Sequence, residues 1–147
     1  MEYSQKEQSR MLVAALDIAM KAHGNQFDRG KKPYLLHPLH VMSQVESFLA
    51  KIVALLHDVV EDSEYKIEDI RAACFPEEVC EAVLAITKVK GETRMDAAKR
   101  AKQNELARTV KIADVNHNMD LSRLGKVSEK DLARLEEYKQ VLEFLLS

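Results

Sequence analysis

Leu55-Leu-His57-Asp58-Val-Val-Glu61-Asp62 places four side chains that can bind metal or move protons directly behind an apolar run. If a helix continues through this stretch, His57 and Glu61 lie on one side of it, because residues four apart stack. Asp58 and Asp62 form a second such pair. His57 and Asp58 then project about 100° apart and can flank one ion. A solvated acidic helix end is the alternative, and the remainder of the chain has to distinguish the two.

The composition is that of a helix-rich globular protein. Of the 147 residues, 46% are hydrophobic and 31% are charged, and the chain contains only 4 Gly and 3 Pro. This length suits one domain with a full hydrophobic core. The scarcity of turn-forming residues favours long helices joined by short turns. We therefore expect a single all-α domain over residues 1–147.

Charge and hydropathy limit the expected partners. The net charge of −2 does not favour a role in coating nucleic acid, so nucleic acid is not an expected partner. No apolar run approaches the ~20 residues that span a bilayer, and residues 1–7 do not resemble a signal peptide. We expect a cytoplasmic protein with no membrane partner, and the sequence does not indicate an oligomeric state. Cys74 and Cys80 are too few for a disulfide framework, and we expect both to pack in the core.

Apolar residues recur at helical spacing along the chain, which predicts amphipathic helices. Ser4 with Glu7, and Ser128 with Asp131, are capping patterns that predict the starts of the first and last helices. The predicted helices are one from Ser4 to His23, one beginning at Pro38, Ala50–Asp62, a short one from Ile67, Glu77–Lys88, Met95–Gln103, Glu105–Leu121 and Leu132–Leu146.

Histidines that precede the opening stretch are further candidate ligands. His23 ends the first helix, a position more typical of a hydrogen-bonding residue than of a ligand. His37 directly precedes Pro38, which is favoured in the first turn of a helix. An imidazole held at such a point can aim inward, so the pattern favours His37 over His40, the competing candidate three residues on.

A carboxylate in a later helix completes the candidate site. Asp114 lies inside the predicted helix Glu105–Leu121, among apolar neighbours. A buried carboxylate is costly unless it is paired or binds a metal. Asp114 is therefore the predicted fourth ligand of a set that begins with His37, His57 and Asp58.

The predicted ligand set indicates a type of chemistry. Two imidazoles and two carboxylates suit Mn²⁺, Fe²⁺ or Zn²⁺ better than Ca²⁺. Such an ion lowers the pKa of a bound water and withdraws charge from a phosphoryl group. Glu61 and Asp62 follow closely enough to orient or deprotonate that water. The pattern favours metal-assisted hydrolysis of a phosphoester or pyrophosphate.

Two basic segments each have two interpretations. Arg29, Lys31 and Lys32 form either a solvated loop or a clamp for phosphate oxygens. The basic residues of Lys99–Lys102 form either a solvated helix face or a wall for an anionic ligand. The sequence alone does not separate these alternatives.

The order of the motifs resembles a known family. A His before Pro, a His-Asp pair on a later helix and an Asp on a further helix are similar to the pattern of HD-domain metal-dependent phosphohydrolases. Within them, the chain most resembles the hydrolase domain of RelA/SpoT enzymes, especially the small hydrolase-only members. The likeness runs from about Leu12 to Leu124. The matching segments are Ala22-His23, Gln26, Pro33–Pro38, Leu55–Asp62, Thr87-Lys88, Lys111–Asp114 and His117–Met119.

This resemblance implies a fold, an activity and a set of site residues. It implies an HD-domain helical bundle, with residues 1–147 as a single hydrolase domain that lacks the synthetase and regulatory domains of the long members. The implied reaction is Mn²⁺-dependent removal of the 3′-pyrophosphate from guanosine alarmones, (p)ppGpp, so the expected partner is a small nucleotide. The implied metal ligands are His37, His57, Asp58 and Asp114. The implied water-activating pair is Glu61 and Asp62, and the implied substrate contacts are Arg29, Lys111 and Asn118.

A few positions depart from the family pattern. Asp28 stands where a basic residue is usual, Val115-Asn116 replaces Arg-Leu, and Leu121 stands where a small polar residue is common. We expect these differences to affect nucleotide contacts and not the metal ligands. They keep open another nucleotide or dinucleotide phosphate as substrate. A third interpretation is a non-catalytic nucleotide-binding domain, against which the complete pair of Glu61 and Asp62 argues.

Overall fold

The computed structural model describes residues 2–147, which form nine α-helices and one 3₁₀ helix. The helices are α1 (Gln5–His23), α2 (Leu36–Ser43), α3 (Phe48–Leu56), α4 (Val59–Asp62), α5 (Ile67–Ala72), α6 (Glu77–Ile86), α7 (Arg94–Lys102), α8 (Glu105–Asn118), the 3₁₀ helix (Leu121–Arg123) and α9 (Glu129–Leu146). The prediction of an all-α fold is confirmed. Met1, the first residue of the predicted domain, lies outside the described residues. No helix within residues 2–147 combines the length and hydrophobicity needed to cross a bilayer.

Both predicted capping patterns are formed. The Ser4 hydroxyl accepts a hydrogen bond from the Glu7 backbone N–H, and the Glu7 carboxylate accepts one from the Ser4 N–H. Ser128 and Asp131 make the same reciprocal pair at the start of α9. Each pair satisfies N–H groups that the first turn of a helix leaves without partners. The last helix consequently starts at Glu129, earlier than its apolar pattern alone predicts.

Helix α3 lies at the centre of the fold. Ala50 and the whole run Ile52–Leu56 are buried, and α3 packs against α1, α2, α6 and α8. A helix that is apolar on all sides is stable only when neighbours surround it. The segment that follows Leu56 is therefore held in a fixed position relative to α2 and α8.

The predicted continuous helix Ala50–Asp62 is wrong. Helix α3 ends at Leu56 and α4 begins at Val59, with Asp58 at φ −103° and ψ −2° between them. The His57 imidazole Nδ1 donates to the carbonyl oxygen of Ala54 at 2.6 Å. A side chain that bonds a carbonyl of the last turn offers the backbone an alternative to continuing the helix. The break means that regular helical stacking does not relate His57 to the acids of α4.

Other helix ends differ from prediction by a few residues. Helix α2 starts at Leu36, so His37 lies inside its first turn instead of before it. Helix α8 ends at Asn118, before Leu121.

Cys80 is buried as expected, whereas Cys74 is exposed and has a positive φ of 63°, so its predicted core position is wrong.

A second apolar cluster attaches the C-terminal helix. Ala98 of α7, Val115 of α8 and the pair Val141 and Leu145 of α9 are buried together. Helix α8 thus packs on the main core with one face and on α9 with the other. This arrangement places α9 beside the polar face of α8.

The basic segment Lys99–Lys102 supports the fold. The Arg100 guanidinium donates to the Thr87 carbonyl oxygen at 2.6 Å and pairs with Glu92. The Lys102 ammonium donates to the Phe144 carbonyl oxygen at 2.9 Å. These bonds tie α7 to the end of α6 and to α9. Structural contacts therefore account for this segment without an anionic ligand.

Candidate active site

Four side chains from three parts of the fold converge on one point. His37 of α2, His57 and Asp58 of the α3–α4 turn, and Asp114 of α8 each offer a ligand atom, and these atoms all lie within 4.8 Å of one another. We call these four residues the ligand cluster. His37 Nε2 lies 2.8 Å from Asp114 Oδ1, and His57 Nε2 lies 3.0 Å from Asp58 Oδ2. Adjacent ligands bonded to one octahedral ion at about 2.1 Å are roughly 3.0 Å apart, so the spacing suits a single cation.

The His57 ring is oriented for binding a cation. Because the Ala54 carbonyl can only accept, the hydrogen of a neutral His57 ring lies on Nδ1, and Nε2 is left as an acceptor. That Nε2 is buried and faces Asp58 Oδ2 at 3.0 Å without the geometry of a good hydrogen bond to any described residue. Buried polar atoms normally have partners, and metal-binding imidazoles normally donate their other N–H to a carbonyl or carboxylate. The donor set of the ligand cluster therefore fits a cation.

The two buried carboxylates of the ligand cluster favour a positive charge beside them. Burial acts to lower the pKa of His57, but the negative charges of Asp58 and Asp114 outweigh burial and raise this pKa well above its ordinary range. Burial likewise acts to raise the pKa of Asp58, but the charge and hydrogen bonding of His57, together with the charge on His37, outweigh burial and lower the pKa to about 2. A proton on His57 thus compensates the buried carboxylates. A divalent cation can take over that compensation and release the proton.

Two of the predicted substrate contacts hold Asp114. Lys111 Nζ lies 3.1 Å from Asp114 Oδ2, and the Asn118 amide donates to Asp114 Oδ1 at 3.1 Å. The three residues lie on successive turns of α8 and present one face. Lys111 and Asn118 also line the cavity described below. They therefore reach both the carboxylate and the space where a substrate would lie.

Two contacts to the ligand cluster have no counterpart in the sequence-based assignment. The Tyr34 hydroxyl donates to Asp58 Oδ2, and His37 Nδ1 lies 2.7 Å from His117 Nδ1. Burial, together with the charges of Arg123 and His37, lowers the pKa of His117 to about 4. Tyr34 and His117 both lie in motifs that carry the family resemblance, but spacing along the chain gives no indication of which side chain they meet.

His23 lies outside the ligand cluster. Its Nδ1 is 2.7 Å from the Gln26 side-chain oxygen, and the Gln26 amide donates to the backbone oxygen of Asp62 at 2.7 Å. The predicted hydrogen-bonding role of His23 agrees with this contact. The chain of bonds ties the end of α1 to the end of α4 and fixes the position of the acidic pair.

The acidic pair lines the same cavity as the cluster. The Glu61 carboxylate accepts a hydrogen bond from the Lys88 backbone N–H at 2.8 Å. Partial burial and the charges of Asp58 and Glu61 raise the pKa of Asp62 to about 7, although its side chain keeps access to solvent. A carboxylate that titrates near neutral pH can both accept and donate a proton. Of the two acids, Asp62 is the more suitable proton carrier and Glu61 the more firmly held.

A cavity of about 380 Å³ opens above the ligand cluster. Its volume falls within the range of small-molecule sites. Six cationic side chains line it: Arg29, Lys88, Arg94, Lys111, Arg123 and Arg134. Guanidinium and ammonium groups bind phosphate oxygens well. Seven carboxylates also line it: Asp28, Asp58, Glu61, Asp62, Asp114, Asp120 and Asp131. The cavity therefore suits an anionic ligand when a bound cation offsets part of this negative charge, and most of its basic side chains come from segments that the sequence did not connect with the site.

The loop before α2 is fastened to the far side of the cavity. The Arg29 guanidinium pairs with the buried Asp131 of α9, and Arg123 Nη2 lies 3.4 Å from Asp28 Oδ2. Gly30 passes so close to the Arg123 backbone that an added Cβ would lie 2.1 Å from its carbonyl oxygen. The loop position therefore depends on the segment between α8 and α9.

The positions that differ from the family pattern lie in two different environments. Asp28 and Leu121 line the cavity, as expected for differences that affect substrate contacts. Val115 is fully buried in the second apolar cluster, so the expectation that it affects nucleotide contacts is wrong. An apolar side chain suits this position because Val141 and Leu145 of α9 are buried in the same cluster.

The family of the chain follows from comparison with known proteins. A family model described as HD domain matches residues 15–138, and the chain belongs to the HD domain family. A solved structure described as a metazoan ortholog of SpoT that hydrolyzes ppGpp is similar with a TM-score of 0.75. The two share 21% sequence identity, and the match covers 99% of this chain and 88% of the other. The predicted HD-domain helical bundle is confirmed.

Curated relatives carry names related to guanosine tetraphosphate. A guanosine-3′,5′-bis(diphosphate) 3′-pyrophosphohydrolase of Borreliella burgdorferi is 30% identical over an alignment 161 positions long, gaps included, which covers 97% of this chain and 24% of that protein. One of the same name from Haemophilus influenzae is 34% identical over 116 residues, 69% of this chain and 17% of that protein. A probable GTP pyrophosphokinase of Mycobacterium leprae is 28% identical and covers 96% of this chain and 19% of that protein. The chain thus spans a quarter or less of the length of these relatives.

His57→Ala tests the ligand cluster. We expect the parent protein to retain a stoichiometric divalent ion after loading with Mn²⁺ and dialysis, and the variant to lose it, as measured by elemental analysis. The variant should also lose stability, because its buried carboxylates keep less compensating charge. At a free Mn²⁺ concentration of 100 Kd, the parent should gain about 2.7 kcal/mol in free energy of unfolding, and the variant close to none.

His40→Ala is the matched control for this experiment. His40 is exposed and lies outside the ligand cluster, so its removal should leave the metal content unchanged. Equal metal content in the parent and in His57→Ala would show that the ligand assignment is wrong.

Proposed function

We propose that this chain is a metal-dependent phosphohydrolase that removes the 3′-pyrophosphate of guanosine alarmones, converting (p)ppGpp to GDP or GTP and pyrophosphate. The observation that carries the proposal is the ligand cluster beside two acids at the base of a cavity lined by cations. The names of the relatives support the choice of substrate, since two of them are named guanosine-3′,5′-bis(diphosphate) 3′-pyrophosphohydrolase.

The proposed cofactor is a divalent transition-metal ion, preferably Mn²⁺. His37, His57, Asp58 and Asp114 would hold it, because mixed imidazole and carboxylate sets suit Mn²⁺, Fe²⁺ and Zn²⁺. When bound, such an ion withdraws charge from a phosphoryl oxygen and lowers the pKa of water. Lys111, Asn118 and Tyr34 fix the two carboxylates from outside the cluster.

The proposed catalytic residues are Asp62 and Glu61. Asp62 lines the cavity and has a raised pKa, so it would accept a proton from a water that attacks the phosphorus bonded to the ribose 3′ oxygen, and return that proton to the leaving 3′ oxygen. Glu61, held by the backbone of Lys88, would orient that water. The bond that forms joins the water oxygen to that phosphorus, and the bond that breaks joins the same phosphorus to the ribose 3′ oxygen. The 3′ oxygen leaves as the hydroxyl of GDP or GTP, and the attacked group leaves as pyrophosphate.

The proposed substrate contacts are Arg29, Lys111 and Asn118. The Arg29 side chain remains 49% exposed while it pairs with Asp131, so it keeps N–H donors for a phosphate. Arg94, Arg123 and Arg134 extend the basic wall toward α9. A nucleotide with phosphates at two positions would need such a distributed set of cations, because each group carries its own charge.

A second candidate substrate follows from the departures that line the cavity. Asp28 adds negative charge where relatives of the RelA/SpoT type have a base, and Leu121 adds an apolar side chain. Another nucleotide or dinucleotide phosphate is therefore the alternative substrate of the same site. A purely binding role is disfavoured because the acidic pair is complete.

We further propose that residues 1–147 act as one hydrolase domain, since α9 and α2 line the same cavity. The proposed location is the cytoplasm. The free thiols of Cys74 and Cys80 are in keeping with a reducing compartment.

A substrate panel tests the proposed reaction. With Mn²⁺, we expect release of pyrophosphate from ppGpp with a kcat/KM at least tenfold above that for ATP and GTP, because the cavity favours two separate phosphate groups. The adenosine analogue of ppGpp, which carries the same two groups, tests whether the base contributes. Pyrophosphate can be followed by a coupled assay, and the nucleotide product by chromatography. A higher kcat/KM for a nucleotide without a 3′-pyrophosphate would favour the alternative substrate. Absence of hydrolysis across the panel would contradict catalysis.

Single amide substitutions test the acidic pair. Asp62→Asn should lower kcat by about 10²–10⁴-fold, since it removes the proton acceptor. Glu61→Gln should cost less, because its amide oxygen can still accept from the Lys88 N–H. Elemental analysis should show parental metal content in both variants. Glu64→Gln is the matched control, as Glu64 is exposed and does not line the cavity. Parental kcat in Asp62→Asn would show that the catalytic assignment is wrong.

A further inference from the structure

We propose that His117 is a positioning residue that fixes the tautomer of His37 and so sets the affinity of the ligand cluster for its cation. His117 would do this by accepting a hydrogen bond from the Nδ1–H of His37. This inference rests on the proposed cation site. It assigns a role to a side chain that contacts a residue of the ligand cluster but does not belong to the cluster.

The geometry leaves little freedom between the two rings. The Nδ1 atoms of His37 and His117 are 2.7 Å apart, and the ring planes differ by 5°. The ring centroids are 5.0 Å apart, which at this Nδ1–Nδ1 separation places the parallel rings edge to edge. Their nitrogens therefore point at each other, as a hydrogen bond requires. His37 is 2% exposed, so water does not compete for its Nδ1.

The direction of this bond follows from the count of hydrogens. A neutral imidazole carries one N–H, and a cation at Nε2 of His37 leaves that hydrogen on Nδ1. Two nitrogens at hydrogen-bond distance share a single hydrogen, so His117 Nδ1 has to be the acceptor. The hydrogen of His117 then lies on its own Nε2. A donor at His117 Nδ1 would instead force His37 into the tautomer that cannot bind a cation through Nε2.

His117 is itself held on more than one side. Its ring stacks on that of His40 with centroids 3.9 Å apart and planes 17° apart. Its carbonyl oxygen accepts from the Arg123 guanidinium at 3.2 Å and from the Asp120 N–H at 3.1 Å. These contacts fix the end of α8 and the plane of the ring. His117 Nδ1 is therefore held in reach of His37. Without a cation, His37 Nε2 donates to Asp114 Oδ1 at 2.8 Å, and a cation at Nε2 would move the hydrogen to Nδ1, where His117 can accept it.

The two imidazoles of the cluster are thus oriented by different means. His57 donates to a backbone carbonyl, that of Ala54, which no side-chain substitution removes. His37 depends on a side chain, which a substitution can remove. Outer partners of this kind usually change metal affinity by about 10–100-fold when they are lost. The cluster should therefore be sensitive to substitution at His117.

Paired substitutions test this role through metal affinity, without any assay of activity. His117→Leu removes the acceptor, whereas His117→Asn places an amide oxygen close to the position of Nδ1. Competition with a chromophoric chelator should show Mn²⁺ affinity weakened about 10–100-fold in His117→Leu and within a few-fold of the parent in His117→Asn. His40→Ala, which removes the stacking but not the acceptor, should also stay within a few-fold.

The outcomes separate this inference from the proposed function. Parental affinity in His117→Leu, or equal losses in the Leu and Asn variants, would overturn the positioning role while leaving the cation site intact. A parent protein that binds neither Mn²⁺ nor Zn²⁺ would overturn both.

A measurement on the unaltered protein decides the question if His117→Leu fails to fold. Long-range ¹H–¹⁵N correlation of the Zn²⁺-loaded protein assigns the hydrogen on each imidazole nitrogen. We expect His37 with its hydrogen on Nδ1 and His117 with its hydrogen on Nε2. A hydrogen on Nδ1 of His117 would overturn the inference.

Discussion

The buried carboxylates of Asp58 and Asp114 are the constraint on which the site depends. Each lies within reach of two imidazoles, and neither can be left uncompensated in a protein interior. The surrounding bonds from Tyr34, Lys111 and Asn118 all lead to these two acids. These hydrogen bonds and ion pairs hold two negative charges close together at one buried point. A bound cation would stabilise that arrangement.

Much of this arrangement could be predicted from the sequence. The capping residues of α1 and α9 act within one helical turn, so local pattern identifies them. The residues of the ligand cluster could be identified because imidazoles and carboxylates beside apolar runs are costly unless they share a function. The convergence of α2, α3 and α8 follows from the apolar stripe of each helix, but the distances do not.

Other features depend on contacts that no local pattern contains. The helix break at His57 results from a side-chain bond to the Ala54 carbonyl, which competes with the backbone. The cavity wall uses Arg94, Arg123 and Arg134, from segments far apart in the chain. Val115 is buried in a cluster that includes Val141 and Leu145 of α9. Such residues acquire their roles only when the C-terminal helix is in place.

The central claim is that the ligand cluster binds one divalent cation through four protein atoms. A crystal structure of the protein grown with Mn²⁺, with anomalous data collected at the manganese edge, tests it most directly. The account predicts one strong anomalous peak bonded to Nε2 of His37, Nε2 of His57, and one carboxylate oxygen each of Asp58 and Asp114. A peak bonded to other residues, or a cluster without a peak in crystals soaked to saturation, would contradict the account.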